Sequence, residues 1–469
     1  MINKDRSKKE KKNINPYVLL FCVIAICGIA SYFVIPGEFQ REIINGRTVV
    51  IPGTYRGVEK TPIALFDIFR AVPNGLIGSG PIVFLILIVG GTIEIFNQTG
   101  SISMGISKFI SKMGGKGDSL VLIILMSLFA IIGGFLGWIE AAIPFVPITI
   151  PIVLALGYDS LTAVAVCILG LMVGFAIGPT NVYTVGIAHS IAELPMFSGI
   201  GLRLTAYIVF VAIAIVYTIR YGNKTKKDSS KSLVSDIDIS DLTYDFSKIE
   251  NQKMKISQKL SLVILAITFA IVVYGMLKLG WSINDMTAAF LLCGIIAGFV
   301  CKMTPGDIAN TFILGAKGSI NGAMIVGIAR GVQWILERGG IIDPIINSLS
   351  QNLSGLPPVI SAIGIMVIVT LLNALVPSGS GKAMALMPLL MPIGDLIGLS
   401  RQTTTLAYQF GDGISNMFWF TYGTLLIFLA YGKVPIQRWY KFLWPLMLIF
   451  SVVSIIFLSI AIKIGYGPF

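Results

Sequence analysis

The sequence is short of charged residues and of the side chains that build most catalytic metal sites. Asp, Glu, Lys and Arg make up 12% of its 469 residues, about half the share found in an average soluble domain. His189 is the only histidine, which excludes a metal site built from several histidines. The five cysteines fall in apolar segments without metal-like spacing, and we interpret them as small packing residues.

The sequence also has no evident cleavage site near its start. A basic stretch precedes the apolar segment 17–35, but no pattern of small residues follows that segment. A cleavable signal peptide would carry such a pattern. We therefore expect 17–35 to be the first transmembrane helix.

Long apolar segments dominate the rest of the chain. Hydrophobic residues make up 55% of it, the mean hydropathy is +0.85, and 442–462 carries no charge, whereas about 20 apolar residues suffice to cross a bilayer. The net charge of +12 is concentrated in clusters beside these segments, which is typical of membrane topology. The composition predicts an all-α polytopic membrane protein in the lipid bilayer, with no nucleic-acid partner.

Three charged residues interrupt long apolar stretches. Glu140 ends GGFLGWIE, Lys382 ends PSGSGK, and Asp412 lies within FGDGISN. A charge at bilayer depth costs a few kcal/mol or more and tends to mark a substrate or ion pathway. Irregular backbone at that depth survives only where it is buried in protein or lines a cavity. These features predict the small-molecule site of a transporter.

The two halves of the chain share a pattern. Pro-x3-Pro-x5-Gly at 147–157 recurs 241 residues later at 388–398, and GPTN at 178–181 has its counterpart in GISN at 413–416. Repeats of this kind are common in secondary transporters. We therefore predict an inverted repeat with about nine transmembrane helices, two re-entrant helical hairpins and two broken helices.

The predicted segments follow from the apolar runs and the breaks between them. They are a cytoplasmic N-terminus 1–16, a first repeat 17–221 with hairpin 118–157 and broken helix 160–192, a cytoplasmic loop 222–257, a linker helix 258–278, and a second repeat 284–469 with hairpin 357–399 and broken helix 402–432. Most basic residues fall on one side when the N-terminus is placed inside, which puts the C-terminus outside.

The hairpin tips and the helix breaks should converge on one site. Half-helix N-termini attract carboxylates, and freed carbonyl groups can hold cations. This mix suits a small zwitterion or anion, with a coupling ion (sodium or a proton) near Asn181 and Asn416 and no other cofactor. The predicted substrate- or ion-binding residues are Gly137, Glu140, Gly178, Pro179, Thr180, Asn181, Thr184, Pro377, Ser378, Gly379, Ser380, Gly381, Lys382, Gly411, Asp412, Gly413, Ser415 and Asn416.

Several roles stay open for the charged residues. Lys382 could contact a substrate carboxylate or extend toward the membrane interface. Glu140 and Asp412 could bind a cation, carry a proton or pair with Lys382. Glu94 and Arg330 are charged residues within other spans and could form a structural pair. His189 is interpreted as structural, with proton coupling as the alternative.

Other classes of protein fit less well. PSGSGK lacks the spacing of a nucleotide-binding phosphate loop, because Lys382 is followed by Ala383 within membrane sequence. A channel would need a continuous polar path, whereas the charges here lie singly near breaks. An intramembrane hydrolase that uses Ser378 or Ser380 with Lys382 is a third alternative, and we do not expect an enzyme.

Three segments resemble the C4-dicarboxylate anaerobic carrier family, in particular its YfcC-like branch. They are IGPTNVYTVGIAHSIAELPMFSGIGLR at 177–203, VPSGSGKAMALMPLLMPIGDLIGLSRQ at 376–402 and YQFGDGISNMFWFTYG at 408–423. The resemblance implies a secondary transporter in the cytoplasmic membrane of a bacterium. It implies either a C4-dicarboxylate or an amino acid as substrate, with an arginine/ornithine antiporter as the alternative.

A more distant similarity to the ion-transporter superfamily implies how such a carrier moves. In that superfamily a transport domain moves like an elevator against a scaffold that often dimerises, which makes a homodimer the expected assembly. Substrate and sodium bind at the hairpin tips and helix breaks. The resemblance places Ser378, Gly379, Ser380, Asn181 and Asn416 in the site.

Overall fold

Helices account for most of the structure, a computed structural model that describes residues 15–44, 47–59, 63–113, 117–243, 252–351 and 356–467. The predicted cytoplasmic N-terminus lies outside these ranges as far as residue 14. The α-helices in the described residues are α1 Pro16–Ala30, α2 Leu65–Gly78, α3 Gly80–Gln98, α4 Ser101–Met113, α5 Asp118–Ile131, α6 Val146–Ala155, α7 Ser160–Ala176, α8 Ile187–Ile191, α9 Ile200–Lys227, α10 Ile256–Lys278, α11 Ile283–Val300, α12 Pro305–Arg338, α13 Ile342–Gln351, α14 Pro358–Asn373, α15 Gly379–Leu396, α16 Arg401–Ser415, α17 Gly423–Tyr431 and α18 Ile436–Lys463.

Short polar side chains begin the helices that lead into the later breaks. Asp159 accepts the backbone N–H of Thr162 at 2.8 Å before α7, and Ser400 accepts that of Thr403 at 3.1 Å before α16. Such caps satisfy backbone donors that have no partner within the helix. The starting points of α7 and α16 are therefore encoded locally.

Seven helical segments in the described part of the chain are long and apolar enough to cross a membrane. They are α3, α5 with the turn that follows it, α9, α10, α11, α12 and α18. About nine transmembrane helices were predicted; of these, α1 has 15 residues, and the segments 160–192 and 402–432, which were predicted as broken helices, are each divided into shorter helices. The mostly helical, multi-pass character predicted from composition is confirmed, although four short strands were not predicted.

The helices form two groups. In the first, which we call the frame group (α1–α4 and α10–α12), α12 packs against α1, α2 and α3, and α11 packs against α3 and α10. In the second, which we call the broken-helix group (α5–α9 and α14–α18), α7 packs against α5, α6 and α9, while α16 packs against α14, α15 and α18. Helices α7 and α16 also contact each other, so they form the centre of the broken-helix group.

Small residues let the frame helices approach closely. A Cβ atom on Gly75 of α2 would lie 2.1 Å from the carbonyl oxygen of Gly327 in α12. A Cβ atom on Gly90 of α3 would lie 2.0 Å from the Ser319 hydroxyl, also in α12. Close backbone approach through small residues is the usual packing device of membrane helices.

Four short strands lie between α1 and α2. They are β1 Gly37–Glu38, β2 Arg41–Ile44, β3 Arg47–Val50 and β4 Arg56–Gly57, with β1 antiparallel to β4 and β2 antiparallel to β3. The Asp343 carboxylate in α13 accepts from the Arg41 guanidinium at 2.6 Å and from the backbone N–H of Phe39 at 3.0 Å. This contact attaches the strands to α13.

Residues 228–243 pack against the helices. Val234 is buried, and the Ser232 hydroxyl donates to the Asp159 carboxylate at 2.6 Å, next to the start of α7. This part of the predicted loop 222–257 is thus attached to the helices through its few apolar side chains, while most of its residues remain exposed or half-buried.

Candidate functional site

The first break separates α5 from α6. A π-helical turn, Ile132–Leu136, follows α5 and ends at Gly137, whose φ of 69° is left-handed. A 3-10 helix, Glu140–Phe145, then leads into α6. Glycine tolerates the left-handed backbone, and Pro144 provides no N–H for a regular helix. The segment GGFLGWIE thus breaks the helix where the sequence predicted.

The second break follows α7. The Asn181 side chain is fully buried; its amide donates to the carbonyl of Phe175 at 3.1 Å, and its oxygen accepts the backbone N–H of Tyr183 at 2.9 Å. A single side chain therefore satisfies backbone groups on both sides of the interruption, which would otherwise be costly to bury.

The third break lies between α14 and α15. Ser378 caps α15 by accepting the backbone N–H of Gly381 at 3.2 Å. The Tyr408 hydroxyl donates to the carbonyl of Gly379 at 2.7 Å, which fixes this tip to α16.

The fourth break lies between α16 and α17. The Trp419 indole donates to the carbonyl of Thr370 at 2.6 Å, and the Thr421 hydroxyl donates to that of Ala374 at 2.7 Å. Both bonds hold the interrupted segment against the end of α14. In the described residues no side chain caps α17; the N–H of Leu425 donates to the carbonyl of Tyr422 at 3.1 Å, which leaves the N–H groups of Gly423 and Thr424 for other partners.

The four breaks come together in space. A Cβ atom on Gly413 would lie 2.1 Å from the Cα atom of Ala176, where α16 crosses α7. The Gln409 amide donates to the carbonyl of Gly178 at 2.8 Å, and the Thr180 hydroxyl donates to that of Phe135 at 3.2 Å. The tips and breaks thus form one assembly.

Lys382 and Asp412 form an ion pair inside this assembly. The Lys382 ammonium lies 2.8 Å from an Asp412 carboxylate oxygen, and their side chains are 2% and 0% exposed. Asn373 supports the pair, because its side-chain oxygen accepts a hydrogen bond from the ammonium. The interpretation of Lys382 as a free carboxylate clamp does not fit this geometry, since its charge is already balanced.

A cavity of about 380 Å³ lies between the frame group and the broken-helix group. Its volume is in the range of small-molecule sites. The N-terminal residues of α15 and α17 line it, as do the aromatic side chains of Trp138, Phe175, Tyr183 and Tyr422. Two helix N-termini and several aromatic faces offer favourable contacts to a carboxylate and to a cation, respectively.

Two opposite charges line this cavity without a charged partner in the described residues. Glu140 is half-buried in its wall, and no cation of the described part of the chain lies within 4.0 Å of it. Arg330 of α12 donates to the side-chain oxygen of Gln333 and has no ion pair among those residues. Arg330 and Glu94 do not pair, since the Glu94 carboxylate accepts from Asn97 at 3.2 Å instead.

The predicted site residues divide into two sets. Those that line the cavity are Gly137, Glu140, Pro377, Ser378, Gly379, Ser380 and Asn416. Those that do not line it are Gly178, Pro179, Thr180, Asn181, Thr184, Gly381, Lys382, Gly411, Asp412, Gly413 and Ser415. Several of the second set, among them Asn181, Lys382 and Asp412, are buried at the breaks.

Sequence reasoning missed several residues. Asn373 is fully buried, and its amide donates to Ser415 at 2.8 Å and to Asn416 at 2.7 Å. A lone asparagine at the end of an apolar helix just before PSGSGK was the signal that could have identified it. Gln333 also lines the cavity, and its position one turn after Arg330 could have indicated this.

His189 has a structural position. It is fully buried, accepts from the Arg203 guanidinium at 2.8 Å through Nε2, and lies 3.2 Å from the carbonyl of Pro195 through Nδ1. Because a guanidinium can only donate, Nε2 is the acceptor and Nδ1 carries the proton. This arrangement agrees with the structural interpretation of His189.

Helices interrupted at membrane depth around a cavity with unpaired charges are characteristic of multi-pass membrane transporters. The comparison with known families is more specific: residues 15–463 match the DcuC model, described as C4-dicarboxylate anaerobic carrier. The chain belongs to this family. It is therefore a secondary transporter of a small molecule, not an enzyme.

Two relatives are similar over most of the chain. An uncharacterised protein of Haemophilus influenzae is 32% identical, with 90% of this chain and 84% of the relative covered. A protein of Escherichia coli described as the putative basic amino acid antiporter YfcC is 31% identical, with 96% of each chain covered. These matches confirm the predicted family and its YfcC-like branch.

Two solved structures also align along the chain. The YdaH transporter of Alcanivorax borkumensis is 14% identical, with 97% of this chain and 100% of that chain covered and a TM-score of 0.42. MtrF of Neisseria gonorrhoeae, described as one of a class of antimetabolite efflux pumps, is 15% identical, with 96% and 95% covered and a TM-score of 0.41. TM-scores below 0.5 do not establish a common fold.

Proposed function

We propose that this transporter exchanges basic amino acids across the bacterial cytoplasmic membrane. The single observation that supports this substrate class is the pair of opposite, unpartnered charges that line one cavity, Glu140 and Arg330. Arg330 would bind the α-carboxylate, and Glu140 would bind the cationic side chain. The description of the Escherichia coli relative points to the same class.

A C4-dicarboxylate is the second candidate, and the family description names it. Arg330 and the N-terminal turns of α15 and α17 would favour two carboxylates. Glu140 opposes this substrate, because a third carboxylate in a cavity of about 380 Å³ would repel the other two. The charge of Glu140 therefore supports the amino acid over the dicarboxylate.

The position of the cavity supports an elevator-type alternating access. Its wall combines Arg330 and Gln333 of the frame group with Glu140, Ser380 and Thr424 of the broken-helix group. Movement of the broken-helix group would carry Glu140 and the tips past a stationary Arg330. The same proposal includes inverted repeats with re-entrant hairpins, an inside N-terminus, an outside C-terminus and a homodimer formed through the frame group.

Thermal unfolding of the purified chain tests the substrate class. Arginine and ornithine should raise the apparent melting temperature, because a ligand of the folded state stabilises it by mass action. Succinate and fumarate should leave it unchanged. Stabilisation by succinate alone would overturn the proposal and support the dicarboxylate.

Two matched pairs of variants test the assigned roles. Glu140→Gln should remove the stabilisation by ornithine, whereas Glu94→Gln, which alters a carboxylate outside the cavity, should preserve it. Arg330→Gln should likewise remove the stabilisation by ornithine, whereas Arg338→Gln, at the end of α12, should preserve it. Uptake by proteoliposomes that saturates with substrate would separate a carrier from a channel.

A further inference from the structure

The Lys382 ammonium lies in a cage of oxygen atoms. It is 2.8 Å from an Asp412 carboxylate oxygen and 3.4 Å from the carbonyl of Val376, and it donates to the side-chain oxygen of Asn373. Of the three oxygens, those of Asn373 and Val376 accept hydrogen bonds from the ammonium, whereas the Asp412 oxygen contributes an ion pair. Carboxylate, amide and carbonyl oxygens are also the ligands that small hard cations prefer.

Hydrogen bonds of the Asn373 amide hold the cage in place. The Asn373 amide nitrogen lies within hydrogen-bond distance of three acceptors, Ser415 at 2.8 Å, Asn416 at 2.7 Å and the carbonyl of Asp412 at 3.2 Å, which share its two N–H groups. These bonds fix which end of the Asn373 side chain faces the ammonium. The Val376 carbonyl follows the C-terminus of α14, where the helix dipole favours positive charge.

More oxygen atoms beside the pair are buried without a hydrogen-bond partner in the described residues. They are the second carboxylate oxygen of Asp412 and the hydroxyl oxygen of Thr184. Both residues adjoin Gly379: a Cβ atom there would lie 3.3 Å from that Asp412 oxygen and 3.2 Å from a Thr184 methyl carbon. These oxygens add to the ligands that a free cation could reach once the ammonium is removed.

We propose that the Lys382 ammonium is a tethered substitute for a coupling cation. It occupies an alkali-cation site between the third and fourth breaks, and it holds these breaks together without sodium. The carrier therefore works independently of sodium, and removal of the ammonium creates a sodium site formed by Asp412, Asn373 and the Val376 carbonyl. This inference concerns the ion rather than the substrate.

Thermal unfolding of the full chain, without substrate, tests the proposal in sodium chloride and in choline chloride of equal ionic strength. The wild-type melting temperature should be the same in both salts. Lys382→Ala should melt well below the wild type in choline and regain several degrees in sodium. Potassium should also restore the melting temperature, because a potassium ion is close in size to the ammonium group that was removed.

The double variant Lys382→Ala/Asp412→Asn is the control, since it removes both charges and should melt at one temperature in the two salts. A wild-type chain that needs sodium for stability would overturn the proposal, as would Lys382→Ala with no response to sodium. Failure to obtain Lys382→Ala in either salt, while the double variant is obtained, would likewise show that sodium cannot replace the ammonium.

Discussion

Two pairs of opposite charges inside the membrane region have very different surroundings. Lys382 and Asp412 are almost completely buried and balance each other at 2.8 Å. Glu140 and Arg330 line a cavity, and neither has a charged partner in the described residues. The first pair holds two helix breaks together, and the second pair is available to a ligand.

The comparison explains why charge alone does not identify a binding residue. A buried charge is stable only when the protein supplies its partner. Lys382 and Asp412 therefore neutralise each other and are not available to a ligand. A charge in a water-accessible cavity keeps part of its hydration and can exchange it for a ligand. Local burial and partners therefore decide the role of each residue.

The largest expected effect comes from breaking the buried pair. In the absence of sodium, Lys382→Ala should lower the free energy of unfolding by about 3–5 kcal/mol, because it leaves an uncompensated buried carboxylate. The double variant Lys382→Ala/Asp412→Asn should recover much of that loss. Thermal or denaturant unfolding of the purified variants measures both, and additive losses in the double variant would contradict the pairing.

The next effect concerns Asn181, which is buried at the second break. Asn181→Ala should cost about 1–3 kcal/mol of stability, because it leaves the Phe175 carbonyl and the Tyr183 N–H without their partner. Transport should fall sharply while the protein still folds. Asn74→Ala is the control. It removes one hydrogen bond from the side-chain amide to the carbonyl of Arg70 in α2 and should change the free energy of unfolding and the uptake little.

A smaller effect is expected at the tip of the first break. Gly137→Ala should lower the free energy of unfolding by about 1–2 kcal/mol, because alanine is strained in the left-handed backbone at this position. The loss should be larger because the new methyl group would lie 2.7 Å from the Asn181 side-chain oxygen. Gly201→Ala in α9 meets open space and should be neutral or slightly stabilising. Melting temperatures of the two variants give the comparison directly; equal values would exclude strain at Gly137.

The smallest effect on stability should accompany a large loss of function. Glu140→Gln should change the free energy of unfolding by no more than about 0.5 kcal/mol, because no charged partner of the described residues is lost. The concentration of ornithine needed for half-maximal uptake should rise at least about tenfold, which corresponds to about 1.4 kcal/mol. A large loss of stability would place Glu140 with the buried pair instead.

Some of the site could be predicted because its signals are local. Glycine and proline in GGFLGWIE and PSGSGK interrupt helices through their own backbone chemistry, and the breaks occur there. Arg330 could not be assigned in this way. Its partner is decided by the packing of α12 against α2 and α3, and the ion pair that it could have formed with Glu94 is not present.

The sequence by itself determined that this chain is a helical membrane protein, where its helices break and to which family it belongs, because hydropathy, helix-breaking residues and motifs are properties of neighbouring residues. Only the tertiary structure decided which charges neutralise each other and which face the cavity. Lys382 and Asp412 are 30 positions apart in the sequence, and Glu140 and Arg330 belong to different groups of helices. Their roles depend on distances that only the packing of the breaks creates.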